Sequence, residues 1–140
     1  MKRNQVIRGI AAVALAVGGG VAIGSPAQAA LPTCTTRAEL GGDNGSSKIR
    51  VPAVPVNYTH SVDCLLKRGA RNDAVKVLQA SLANILDRNL SVDGDFGAAT
   101  QQAVRDVQWV YGIQIDGDYG PQTRRAMCWL TVSGNACDWL

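Results

Sequence analysis

From Asn72 onward, apolar and polar residues alternate with the period of a helix. Val75, Leu78, Leu82, Ile85 and Leu86 form one stripe, and Asn72 or Asp73 offers a side-chain acceptor to the free amides of a first turn, which predicts a helix from about Asp73 to Leu86. Ala99, Ala103, Val104, Val107 and Tyr111 predict a second helix that stops near Gly112. A third opens at Pro121, whose fixed φ and missing amide suit the first helical position, and turns Ala126, Met127 and Leu130 inward. Upstream the period is lost. The stretch "ELGGDNGSSKIRVPAVPVNYTHSVD" has one valine-rich run, and Pro52 and Pro55 within it predict an edge strand or an extended arm. The expected fold is therefore all-α: a small three-helix domain over residues 65–130, an extended arm over 30–64 and a tail over 131–140.

The first 29 residues follow another plan. A basic start (Lys2, Arg3, Arg8), an apolar stretch from Ile10 to Ile23 and the small-residue ending Ala27-Gln28-Ala29 predict a secretory signal peptide cleaved after Ala29. The expected location is thus outside the cell or on its wall, with no membrane attachment after cleavage. Three of the fourteen basic residues leave with this segment, so eleven remain against eleven acidic ones. A neutral chain without a basic run excludes nucleic acid as a partner.

Two stretches say the same thing twice: "VDGDFGAATQQAV" from Val92 and "IDGDYGPQTRRAM" from Ile115. In each, Asp-Gly suits a tight turn with the glycine at positive φ, an aromatic (Phe96, Tyr119) packs beneath, and a threonine (Thr100, Thr123) falls in the first turn of the following helix. Calcium fails the ligand count. Counted from Asp93 or Asp116, the fifth position is glycine and the twelfth is Val104 or Met127, so each loop has only two carboxylates.

Cys34, Cys64, Cys128 and Cys137 all follow the signal segment, where disulfides are expected. Four cysteines allow three pairings. Cys34 with Cys64 and Cys128 with Cys137 is favoured because each pair closes a loop within one segment. A zinc site has neither paired thiols at close spacing nor any histidine besides His60, so no metal or other cofactor is expected.

Gly69, Val75, Leu78 and Gln79, followed by the two repeated units and by Gln108 and Gly112 between them, resemble the peptidoglycan-binding-domain-like family. The resemblance spans about Leu65 to Trp129 and departs at Val107, where that family usually has an aromatic; here Trp109 follows Gln108 instead. It implies a three-helix module that binds bacterial peptidoglycan. Glycan and peptide are recognised by an aromatic face with a few precisely aimed polar groups. The candidate contacts are Asp93, Asp95, Phe96, Thr100, Gln108, Trp109, Asp116, Asp118, Tyr119 and Thr123, with Tyr111 and Trp129 as further aromatics.

Catalysis finds less support. A zinc amidase or peptidase needs three ligands and a base, beyond what His60 and Glu39 supply, and a thiol nucleophile would need Cys64 free beside His60. The expectation is a secreted, monomeric, non-catalytic module that binds peptidoglycan. The alternatives are an adaptor or inhibitor of another extracellular protein and, behind it, a small wall hydrolase.

Overall fold

A computed structural model describes residues 30–140; the expected signal peptide lies outside the described residues. The chain runs β1 (Thr36–Gly41), β2 (Lys48–Val56), β3 (Thr59–Ser61), α1 (Asp73–Leu86), α2 (Ala98–Val110), α3 (Pro121–Ala126), β4 (Trp129–Leu130) and β5 (Cys137–Asp138). The all-α expectation is overturned: among the described residues three helices share the fold with a three-stranded antiparallel sheet, ordered β1-β2-β3, and a two-stranded one, β4-β5.

The prolines of β2 explain the error. β1 pairs with Lys48 to Ala53 and β3 with Val54 to Val56, so the stretch that holds Pro52 and Pro55 is paired to one strand at a time. A proline there loses its N–H without leaving a ladder bond unmade. The strand then does what alternation dictates, turning Ile49, Val51 and Ala53 into the core. The presumed arm is thus a wall of the same core. The third helix is also shorter than its stripe suggests. It ends at Ala126, Met127 is extended (φ −106°, ψ 154°), and Leu130 lies in β4, paired with Cys137.

α1 sits between the sheet and α2. Its buried Val75, Leu78 and Leu82 meet Ile49 and Val51 from β2 and Ala103, Val104 and Val107 from α2. Asn72 caps it, accepting from Val75 N at 3.2 Å through Oδ1 and donating from Nδ2 to the Cys34 carbonyl at 3.0 Å. Such a cap contributes about 1 kcal/mol, and here it also ties the helix start to the segment that leads into β1. Disulfides join Cys34 to Cys64, between the sheet and the chain entering α1, and Cys128 to Cys137, across β4 and β5.

The segment between Leu65 and Asn72 is a spine for both repeated loops. Leu66 exchanges backbone hydrogen bonds with Tyr119 (2.9 and 2.8 Å), while the Ala70 carbonyl accepts from Phe96 N at 2.9 Å and Asn72 N donates to the Gly94 carbonyl at 3.1 Å. Both loops therefore hang from one short segment, bridged on either side of a turn at Arg68-Gly69.

Candidate functional site

Each repeated loop is built around a buried glutamine from the preceding helix. In the first, Gln79 Nε2 reaches Asp93 Oδ1 (2.9 Å), the Asp95 carbonyl (3.0 Å) and Thr100 Oγ1 (3.0 Å), while its Oε1 accepts from Gly94 N (2.9 Å). In the second, Gln108 Nε2 reaches Asp116 Oδ1 (2.7 Å), the Asp118 carbonyl (3.0 Å) and Thr123 Oγ1 (3.1 Å), and its Oε1 accepts from Gly117 N (2.9 Å). An amide nitrogen has two hydrogens, so three acceptors share them in bifurcated contacts. The turn glycines are required. Gly94 (φ +80°) and Gly117 (φ +79°) are left-handed, and a Cβ on either would run into Lys76 or Arg105, the helical side chains lying over them.

The aspartates close each turn. Asp93 Oδ1 accepts from Asp95 N (2.9 Å) and Asp116 Oδ1 from Asp118 N (2.8 Å). The Asp95 amide and then the Gln79 amide hold the Asp93 carboxyl below the usual aspartate range. Each carboxylate keeps its second oxygen for other contacts. Asp95 is half-exposed and paired with Arg71 (3.0 Å); Asp118 is half-exposed and has no ion-pair partner among the described residues.

Beside each loop lies a cleft. The first, about 180 Å³, is lined by Ser91, Asp93, Asp95 and the opening residues of α2; the second, about 190 Å³, by Leu65, Asp116, Asp118 and the opening residues of α3.

The sequence candidates thus divide. Asp93, Asp95, Asp116 and Asp118 come to the surface in two equivalent pairs. Phe96, Thr100, Gln108, Tyr119 and Thr123 are buried, where they hold the loops. Among the aromatics, Trp109 is 73% exposed on α2, directly after Gln108. Tyr111 is half-buried, edge-on to Trp139 (centroids 5.5 Å), and Trp129 is fully buried, its Nε1 donating to the Arg124 carbonyl at 3.0 Å and its ring edge-on to Tyr119. The Tyr119 hydroxyl is buried without a partner, and burial pushes its pKa well up. Gln79 is missing from the contacts expected on sequence grounds, although it is the counterpart of Gln108. The signal that finds it is Val75-Lys76 and Leu78-Gln79 on α1 against Val104-Arg105 and Val107-Gln108 on α2.

Two of the residues weighed for hydrolytic chemistry have partners. Cys64 is in a disulfide, Glu39 pairs with Arg50 at 3.2 Å, and no group of three or more metal-ligating side chains occurs among the described residues.

Residues 71–127, which hold both loops and α1, α2 and α3, match a family model described as "Putative peptidoglycan binding domain". No curated protein matches the chain. Among solved structures, the crystal structure of the SleB N-terminal domain is 34% identical over 44% of this chain and 85% of its own, with a TM-score of 0.42. A peptidoglycan-binding protein from Clostridioides difficile, solved in complex with glutamine hydroxamate, is 24% identical, with a TM-score of 0.45. The match covers 62% of this chain and 53% of that protein, so this chain spans about half of its length.

Proposed function

The chain belongs to the peptidoglycan-binding-domain-like family through residues 71–127, and from that premise we propose that it is a secreted, non-catalytic module that binds bacterial cell-wall peptidoglycan. The binding unit is residues 65–130, with the N-terminal sheet as its support. One observation carries the reading: two loops, each stiffened by a buried glutamine, hold a pair of aspartates at the edge of a cleft. Peptidoglycan offers sugar hydroxyls and peptide amides, all of them donors to a carboxylate whose second oxygen is free. Trp109, exposed beside the second loop's glutamine, supplies an apolar ring face for a sugar. Because the loops are fixed before a ligand arrives, little ordering entropy opposes binding.

The non-catalytic part of the proposal is supported by what the reactive groups already do. Cys64 is oxidised, and Asp93 and Asp116 each commit one oxygen to their own turn. Secretion is supported by the two disulfides, which persist in oxidising compartments.

The test is sedimentation with insoluble peptidoglycan. The protein is expected in the pellet, and the double variant Asp95→Asn with Asp118→Asn to stay largely in the supernatant while keeping its melting temperature. If the unaltered protein remains in the supernatant at every salt concentration, wall binding is wrong, and an adaptor role on another extracellular protein takes its place.

A further inference from the structure

A third cleft, of about 160 Å³, opens where β1, β2, α1 and the β4 region meet; it lies outside both repeated loops and shares with the first only Lys76, which covers Gly94. Three cations line it: Arg37 from β1, Arg50 from β2 and Lys76 from α1. Its floor is apolar, made by Val77, Ala80 and Leu130. The walls are fixed to one another, since Leu130 N donates to Ser81 Oγ at 3.2 Å and Ile49 bridges Thr131 across the strands. Arg50 and Lys76 face Glu39 and Asp73 in exposed ion pairs (3.2 and 3.1 Å), while Arg37 has no carboxylate partner among the described residues. Exposed pairs of this kind hold with little energy and exchange readily for a better anion.

A cavity of about 150 Å³ takes a benzene, so this one has room for one small apolar group beside an anion. We propose that the cleft binds the C-terminal carboxylate of a short peptide ending in a small apolar residue. The carboxylate lies on the guanidinium groups of Arg37 and Arg50, whose planar forks match its two oxygens, and the side chain covers Val77, Ala80 and Leu130. A phosphodiester polymer fits less well, because it would satisfy the cations and leave the apolar floor wet. Arg37 and Arg50 lie outside residues 71–127, so the sheet adds two of the three cations to the one, Lys76, that the family module supplies. The inference goes beyond wall binding and does not depend on it, although a wall peptide ending in alanine is a ligand of this class.

The experiment titrates the intact protein with N-acetyl-D-alanyl-D-alanine, with its C-terminal amide and with inorganic phosphate, reading backbone amide shifts by NMR. The acid is expected to shift Ala80, Leu130 and Thr131 saturably and to leave Gly117, which packs under Arg105, unmoved. Its amide should bind about tenfold more weakly, the worth of one charge-assisted contact, and the acid on the Arg37→Ala/Arg50→Ala variant, which loses two, about a hundredfold more weakly, with the variant's melting temperature unchanged. Equal binding of acid and amide, phosphate matching the acid, or no saturable shift overturns the proposal. Protein that pellets with peptidoglycan yet ignores the dipeptide refutes this site alone; protein that binds the dipeptide yet not the wall refutes only the wall reading.

Discussion

Gln79 on α1 and Gln108 on α2 share four hydrogen bonds to the two loops: an aspartate Oδ1, a backbone carbonyl and a threonine hydroxyl from Nε2, and a glycine N–H to Oε1; Gln108 Oε1 also accepts from Asp116 N at 3.1 Å. The unit that recurs in space is therefore a helix, a loop and the first turn of the next helix, with one buried amide at its centre. This arrangement braces each turn from within, through an amide on the preceding helix.

Removing either amide should cost stability more than its exposure suggests. Gln79→Leu and Gln108→Leu each leave a buried glycine N–H and a threonine hydroxyl short of a partner, so each is expected to lose about 2–4 kcal/mol in urea unfolding. Gln79→Glu sets a second carboxylate against Asp93. Like charges raise the folded pKa of such a pair, so this variant's deficit should be smallest in acid and grow as pH rises through that pKa. A deficit independent of pH would mean that the glutamate has turned away from Asp93.

Acid should loosen the wild-type protein through two named carboxylates. Asp93 is held low by the Asp95 amide and then Gln79; Asp106 is held low by its hydrogen bond from Arg88 and then by that from Gln102. A depressed folded pKa contributes stability that is present above the unfolded value of about 3.9 and lost as pH falls through the folded one. Melting temperature should thus decline below about pH 4, and more gently in Asp93→Asn and Asp106→Asn. Parallel curves for wild type and both variants would place the acid-sensitive groups elsewhere.

The two disulfides should differ in worth. Cys34–Cys64 spans 30 residues and Cys128–Cys137 spans 9. In the chain-entropy account the longer loop is worth about 3.6 kcal/mol and the shorter about 2.6 kcal/mol. Paired serine replacements, compared by denaturant unfolding, are expected to keep that order. The longer link also joins the sheet to the spine that carries both loops, so its loss should weaken wall binding as well, whereas loss of the shorter one should leave binding nearly intact.

What the sequence made legible was local. The stripe on α1, the turn chemistry of Asp93-Gly94 and Asp116-Gly117 and the exposed aspartate pairs all follow from residues a few positions apart. The sheet did not, because β1 is short, with one buried residue, Ala38, and becomes a strand only by pairing with Lys48 to Ala53. Prolines that discouraged a strand are harmless where one side is unpaired. The equivalence of the glutamines was hidden by unequal spacing: Gln79 lies 14 residues before Asp93, Gln108 only 8 before Asp116. α1 continues to Leu86 and a left-handed Asp87, while α2 stops at Val110. Aligning the loops therefore leaves the helices out of step.

Trp109 and Trp129 provide the sharpest separation of binding from folding, because the same substitution meets opposite surroundings. Trp129 is wholly buried, edge-on to Tyr119, and donates to the Arg124 carbonyl, so Trp129→Ala opens a cavity and leaves that carbonyl bare; a loss of about 3–5 kcal/mol is expected. Trp109 is 73% exposed and lies next to Gln108, so Trp109→Ala should change stability by no more than about 0.5 kcal/mol. If its ring stacks on a wall sugar, that variant melts like the wild type but leaves a larger fraction in the supernatant with insoluble peptidoglycan. Thermal melts and sedimentation on the same preparations decide the matter. Undiminished pelleting of Trp109→Ala would move the contact face to the aspartate clefts and the Tyr111–Trp139 pair, since Phe96, Tyr119 and Trp129 are all enclosed in the core.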